Sequence, residues 1–238
     1  MNLIPKVIHV AWKDKKVIES ESPLILNGLR NLINLNPDWE VKVYDDNDID
    51  HYLKECLRPD DYELIKDVHI VEKSDLWRLL KMYREGGMYV DIDRFCNISL
   101  SEILNENTLC VLATCLDNDF SQDIMISCPG NRIYSTALDL SLHRRREGHT
   151  STYFLGPQTF MHSATYVLCG QIIDSYSGVE SFNYIRSIIE TMPYIKLYRE
   201  HPPHQTLIYR DDTSKLDLEQ MKRDFYASSN VKHWTGEW

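Results

Sequence analysis

The chain has 238 residues, and 26 Lys and Arg against 36 Asp and Glu leave it a net charge of −10. Hydrophobic residues at 43% and charged residues at 26% are ordinary for a folded globular protein and exclude disorder, collagen-like repeats and low-complexity assembly. The acidic balance argues against a general nucleic-acid binder, which draws its affinity from clustered Lys and Arg, so no nucleic-acid partner is expected and small molecules are.

No apolar run approaches the roughly 20 residues that cross a bilayer, and the start, Met1-Asn2-Leu3-Ile4-Pro5-Lys6, lacks the pattern of a cleaved leader; a cytoplasmic protein is expected. Six cysteines (Cys56, Cys96, Cys110, Cys115, Cys128, Cys169) stand 40, 14, 5, 13 and 41 apart, with neither a C-x-x-C pair nor a zinc-ligand rhythm, and read as reduced thiols.

Without repeats or a Gly/Ser/Pro-rich linker, residues 1–238 parse as one domain, with 1–96 as one half and 97–238 as the other. Ile4 to Val10 is short, apolar and β-branched, as a buried strand is, and His9 within it reads as a core histidine. Leu24, Leu26, Leu29, Leu32, Ile33 and Leu35 then repeat at helical spacing until Asn36-Pro37-Asp38 stops the helix. Glu40 to Tyr44 alternates strictly and predicts a second strand, after which Asp45 to Asp48 supply N-cap residues for another helix. Ser74 and Asp75 predict a helix start, Leu76, Trp77, Leu79, Leu80 and Tyr83 its apolar stripe, and Gly86-Gly87 its end. Met88 to Ile92 follows as a strand that delivers Asp91 and Asp93. Further strands are predicted at Cys110 to Thr114 and Ile124 to Cys128, and a helix over Tyr134 to Arg146. Another helix opens at Gly156-Pro157, with Pro157 in its first turn. The last fifty residues give no clear pattern; His201-Pro202-Pro203-His204 and the segment from His233 to Trp238 read as loop. Alternating strands and helices predict an α/β fold.

Two groups of residues offer chemistry. Asp91-Ile92-Asp93 ends an apolar strand, where open α/β sheets bind ligands; a period of two would put both carboxylates on one side, facing Mg²⁺ or Mn²⁺ on a diphosphate. Asp75 and Arg78, three apart on one helix, read as a salt bridge or as a pair that holds sugar hydroxyls and phosphate oxygens. The basic run His143-Arg144-Arg145-Arg146 ends a helix, where cations offset the dipole; a solvated helix end is the default, with peripheral contact to an anionic membrane through Arg144, Arg145 and Arg146 as the sharper alternative.

Several segments together resemble glycosyltransferase family 32, whose sugar-binding region contains a DXD motif and which is distantly related to the clostridial glucosylating toxins. They are Ile4-Pro5-Lys6-Val7-Ile8-His9-Val10-Ala11-Trp12, Asn36-Pro37-Asp38-Trp39, Ser74-Asp75-Leu76-Trp77-Arg78, and Tyr83 to Asp93 with its G-G-x-Y-x-D-x-D pattern. The similarity is clear over residues 4–96, weaker at Gly156-Pro157, and returns in the tail.

The resemblance implies a single GT-A domain, Rossmann-like, with a mainly parallel central sheet and helical additions. It implies retaining, metal-dependent transfer of a hexose from a nucleotide-diphosphate sugar, a UDP-sugar ahead of a GDP-sugar, to a glycan, polysaccharide, lipid-linked or protein acceptor. By the same carry-over Val10, Trp12, Asp75, Arg78, Tyr89, Asp91 and Trp238 would hold the nucleotide sugar, with Trp12 stacked on the base. Asp91, Asp93 and His233 would serve the Mn²⁺ or Mg²⁺, a His ligand favouring Mn²⁺, and Asp75, Arg78, Asp93 and Asp123 would act in catalysis. Relatives often carry an Asn in the stretch where this chain has Asp123, and a Ser where it has Gly236. Glucose or galactose is expected ahead of mannose. Two other classes remain open from sequence: a haloacid-dehalogenase-like phosphohydrolase using Asp91 and Asp93, and a nucleotide-sugar-binding protein with little turnover.

Overall fold

In the computed structural model, described for residues 3–94, 99–115, 119–174, 179–199 and 217–230, the first strand, β1 (Val7–Ala11), leads into two short helices, α1 (Pro23–Asn27) and α2 (Leu29–Leu35). The single helix predicted over Leu24 to Leu35 is thus broken at Gly28, where an added Cβ would lie 2.7 Å from the Arg94 carbonyl oxygen. Only a glycine lets these two backbones approach so closely.

Next come β2 (Glu40–Tyr44), α3 (Asp46–Cys56), α4 (Pro59–Ile65), α5 (Ile70–Arg84) and β3 (Gly87–Val90). α3 starts as predicted, through a reciprocal capping box between Asp45 and Asp48. α5 does not: its N-cap is His69, so Ser74 and Asp75 sit inside the helix. An Asp in that interior is unfavourable by propensity and satisfies no helix end, which leaves its carboxylate for another purpose.

The second half adds α6 (Leu100–Ile103), β4 (Cys110–Cys115), β5 (Asp119–Ser127), α7 (Arg132–Arg146), α8 (Thr152–Leu155), α9 (Pro157–Cys169), α10 (Val179–Ile189), β6 (Ile195–Arg199) and α11 (Leu218–Ser228). β6 and α11 fall in the stretch that gives no pattern from sequence. His201, His204, His233 and Trp238 lie outside the described residues.

The six strands form one sheet in the order β2-β1-β3-β5-β4-β6. β1 pairs in parallel with β2 and β3, and β4 in parallel with β6, while β5 runs antiparallel between β3 and β4. The sheet is therefore mixed, with three parallel pairings and two antiparallel.

Helices cover both faces. Met88, Val90, Ile124 and Ile126 pack with α1, α2 and α11, while Tyr89 and Met125 pack with α3, α5, α7, α9 and α10. That alternation is the period of two of a strand buried on both sides, and every residue of β3 is buried. His9 is a core histidine, as predicted: Nε2 is 3.1 Å from the Gly86 carbonyl and Nδ1 3.1 Å from the Tyr44 hydroxyl, and burial lowers its pKa to about 4. The described cysteines, Cys56, Cys110, Cys128 and Cys169, are free thiols. No helix among the described residues is long and apolar enough to cross a membrane.

Candidate active site

A cleft of about 320 Å³ opens where β3 ends and β5 begins, lined by Asp75 and Arg78 from α5, Asp91 and Arg94 after β3, and Gln122 and Asp123 from β5. Asp119, Tyr153 and Pro157 close its far wall. The interior of α5 supplies the floor because Asp75 and Arg78, one turn apart, share a helix face that turns from the apolar core toward the strand ends.

The guanidinium of Arg78, 8% exposed, organises this floor. Nη2 is 2.9 Å from Asp75 Oδ1 and Nη1 is 3.4 Å from Asp91 Oδ1; Nη1 also donates to the Gln122 carbonyl at 3.2 Å. Its Cζ lies 4.6 Å from the Tyr89 ring centroid, and the Tyr89 hydroxyl donates to Asp91. Gln122 Nε2 donates to Asp75 Oδ1 at 3.3 Å.

A second knot lies beside it. Arg94 Nε donates to Asp123 Oδ2 at 2.6 Å, and Arg94 Nη1 is 3.2 Å from Asp93 Oδ1. Asp93 Oδ2 in turn lies 3.0 Å from Lys222 Nζ on α11, and Asp123 also accepts from Ser121.

Burial pushes Asp75 up to about 6, outweighing the pull of Arg78. Asp91 is raised by burial and by Asp123, against Arg78, and burial also lifts Asp119 to about 6. Arg78, flanked by carboxylates, stays charged despite its burial. Because folding raises the Asp75 pKa above its ordinary 3.8, the folded state holds that proton more tightly than the unfolded one. Its contribution to stability is complete below pH 3.8 and is lost as pH rises through about 6, a span of on the order of 3 kcal/mol. Asp75→Asn cannot ionise. Urea denaturation from about pH 4 to about pH 7 should therefore show the variant gaining about that much on wild type; parallel curves would contradict a buried, raised Asp75.

Unmet polar atoms border the same cleft: Arg78 Nε, Gln122 Oε1 and Asp119 Oδ1 are buried without a hydrogen-bond partner among the described residues. Buried polar groups are nearly always paired, so this concentration marks a place that a polar ligand or water completes.

The sequence-predicted residues are only partly brought together. Asp75, Arg78, Asp91 and Asp123 line the cleft, with Asp93 one residue from its wall. The period of two that the same-side expectation rests on does not extend to Asp93, because β3 ends at Val90 and residues 92–93 form a turn; Asp91 reaches Arg78 while Asp93 reaches Arg94 and Lys222. Val10 is fully buried in the core, so its side chain offers nothing to a nucleotide. Trp12 lies outside the cleft lining, with its ring stacked on Phe225 at 5.0 Å and Tyr226 at its edge at 5.7 Å. Among the described residues no three His, Cys, Asp or Glu side chains converge on a common point, and His233, the expected third ligand, lies outside them. Asp91 and Asp93 are nonetheless hard oxygen donors at a strand's C-terminal end, the chemistry that suits Mg²⁺ or Mn²⁺.

Arg144 corrects the reading of the basic run. It is 8% exposed, donating to the Phe154 carbonyl at 3.0 Å and Thr159 Oγ1 at 2.6 Å, so it ties α7 to α8 and α9 and cannot touch a membrane. Arg145 faces Glu72 at 3.6 Å and Arg146 pairs with Asp61, so these side chains join α7 to its neighbours.

Arg94, Gln122 and Lys222 are site residues that sequence reasoning misses. Arg94 and Gln122 stand next to recognised positions, which is a signal; Lys222 has none.

Comparison with known proteins finds likenesses in both sequence and fold. Residues 24–110 match the family described as "Glycosyltransferase sugar-binding region containing DXD motif". Inositol phosphoceramide mannosyltransferase 3 of Schizosaccharomyces pombe is 27% identical over 107 residues, 43% of this chain and 28% of that protein. Mannosyl phosphorylinositol ceramide synthase CSH1 of Saccharomyces cerevisiae is 24% identical over 149 residues, covering 60% and 37%. An uncharacterized glycosyltransferase of Acanthamoeba polyphaga mimivirus is 24% identical over 168 residues, covering 68% and 65%. The matches thus span between 28% and 37% of the length of these two fungal relatives. Among solved structures, the PaToxG glycosyltransferase shares the fold with a TM-score of 0.54 at 18% identity, over 78% of this chain and 76% of that one. Residues 24–110 thus resemble the sugar-binding region of the DXD-motif glycosyltransferases, and the fold is that of a GT-A glycosyltransferase.

Proposed function

We propose that the chain is a retaining glycosyltransferase that moves a hexose from a nucleotide-diphosphate sugar to a hydroxyl of a glycan, polysaccharide, lipid-linked or protein acceptor. The observation that carries this reading is the convergence of Asp75, Arg78 and Asp91, all within the matched region, on one cleft beside Asp93. The match of residues 24–110 favours it over a phosphohydrolase.

A nucleotide-sugar bond breaks by departure of a diphosphate, so the barrier falls when positive charge meets the leaving group. A divalent cation would supply such charge when bound, with Asp91 and Asp93 as the carboxylates that would hold it. Arg78, with Nε unmet, holds a donor-sugar hydroxyl or phosphate oxygen. Asp75, ionised above pH about 6, accepts from a sugar hydroxyl while Gln122 fixes its orientation. Asp123 is already neutralised by Arg94, which makes it a poor nucleophile and a good anchor for that arginine. This favours attack on the face from which the diphosphate leaves over a covalent intermediate on Asp123.

A UDP-sugar is the preferred donor. The fungal relatives are named for mannosyl transfer, which adds a mannose donor to the candidates. A thermal-shift panel of UDP, GDP, CDP and their sugars, with and without Mn²⁺, tests the reading. One nucleotide should stabilise the wild type only with metal, by about 2.7 kcal/mol at a hundredfold excess over its Kd, and Asp93→Asn should abolish the shift. If no nucleotide raises the melting temperature in any metal, the reading fails.

A further inference from the structure

The proposed mechanism leaves the buried cation of Lys222 unused. Lys222 is 7% exposed, and its Nζ lies 3.0 Å from Asp93 Oδ2 while Arg94 Nη1 lies 3.2 Å from Oδ1 of the same carboxylate. Both oxygens of Asp93 therefore already face a cation belonging to the chain. The helix that delivers Lys222 is also fixed beside the strand ends: Phe225 stacks on Trp12, and Lys13 donates to the Ser229 carbonyl.

We propose that Lys222 holds the position at Asp93 that a divalent cation has to take, so that cation binding displaces the ammonium and loosens α11, and Lys222 thereby sets the metal affinity of the site. The inference rests on the reading of Asp93 as a metal-binding carboxylate. Arg94 is anchored by Asp123 as well and stays in place; the ammonium, brought in by a helix far along the chain, is the exchangeable partner.

Charge balance gives the same direction. Four carboxylates, Asp75, Asp91, Asp93 and Asp123, interlock with three cations, Arg78, Arg94 and Lys222, so little negative charge is left to attract a free divalent ion. Two cations on one carboxylate in a region largely closed to water repel each other strongly. Removing the Lys222 charge restores the missing attraction, and a diphosphate arriving with the metal does the same. Free metal is accordingly bound weakly, and metal together with a nucleoside diphosphate tightly.

Mn²⁺ titration of the full chain, followed by loss of the paramagnetic resonance signal of the free ion, tests this without reading activity. Lys222→Met should bind Mn²⁺ at least about fivefold tighter than wild type, the low end of ordinary coupling between sites. Lys222→Arg should show no gain, and Asp93→Asn should not bind. Hydrogen exchange of residues 218–228 in the wild type should quicken when Mn²⁺ and UDP are added, a readout that stands even if Lys222→Met does not fold. Equal or weaker Mn²⁺ binding by a folded Lys222→Met, with Asp93→Asn silent, overturns the exchange and leaves the metal reading intact. No Mn²⁺ binding by any variant, with or without UDP, overturns both.

Discussion

Arg78→Met should be the most damaging single substitution at the site, lowering stability by about 3–5 kcal/mol and the proposed transfer by about 10²–10³-fold. The guanidinium lies against Asp75 at 2.9 Å and Asp91 at 3.4 Å, and Asp75 is only 7% exposed. Removing the cation leaves two carboxylates facing each other in a poorly solvated place, which costs far more than the net worth of the pair. The double variant Arg78→Met/Asp75→Asn should recover part of the lost stability, because one of the stranded charges is then neutral. Chemical denaturation of the four species measures that coupling. If the double variant is no more stable than Arg78→Met alone, the penalty is one of packing and not of stranded charge.

Gly156→Ala is expected to be nearly as harmful to function, at a smaller cost in stability. The residue joins α8 to α9, and an added Cβ would stand 2.5 Å from Asp75 Oδ2, 2.8 Å from Gln122 Nε2 and 3.1 Å from the Thr152 carbonyl. Neither side chain can swing away freely, since Asp75 is held by Arg78 and Gln122 by Asp75. Overpacking of this kind costs about 1–3 kcal/mol. A displacement of about 1 Å in a group that positions substrate costs about 10²-fold in rate. Nucleotide-sugar affinity and melting temperature of the variant check the two effects separately. Unchanged donor affinity would mean that the α8–α9 break does not support the Asp75 pocket.

Much of the scaffold is legible in the sequence because its elements announce themselves locally. β2 alternates and is found at Glu40–Tyr44 as read, and the acidic cap of α3 is where Asp45 places it. The misread helix starts have physical reasons. Ser74 and Asp75 have the composition of an N-cap, but the helix runs back to Ile70, which packs half-buried against the core, and tertiary packing of α5 overrides the local signal. Gly28 sits in a run of leucines whose helical period continues across it; only the approach of Arg94 shows why the helix must break.

β6 and α11 are illegible for a different reason. β6 is defined by pairing with β4, more than eighty residues earlier, and α11 by its packing on Trp12 and Asp93. Nothing in their own short patterns records those partners.

By itself the sequence determines the α/β class, the presence of a helix through Asp75 and Arg78, and the strand that Asp91 follows, because period and spacing are local properties of the chain. Only the tertiary structure decides which charge faces which. It sets Asp93 against Lys222, neutralises Asp123 with Arg94, buries Arg144 and covers Trp12 with Phe225. Those pairings join residues up to more than two hundred positions apart, and they are set by the competition among buried charges for the nearest partner, which no spacing along the chain encodes.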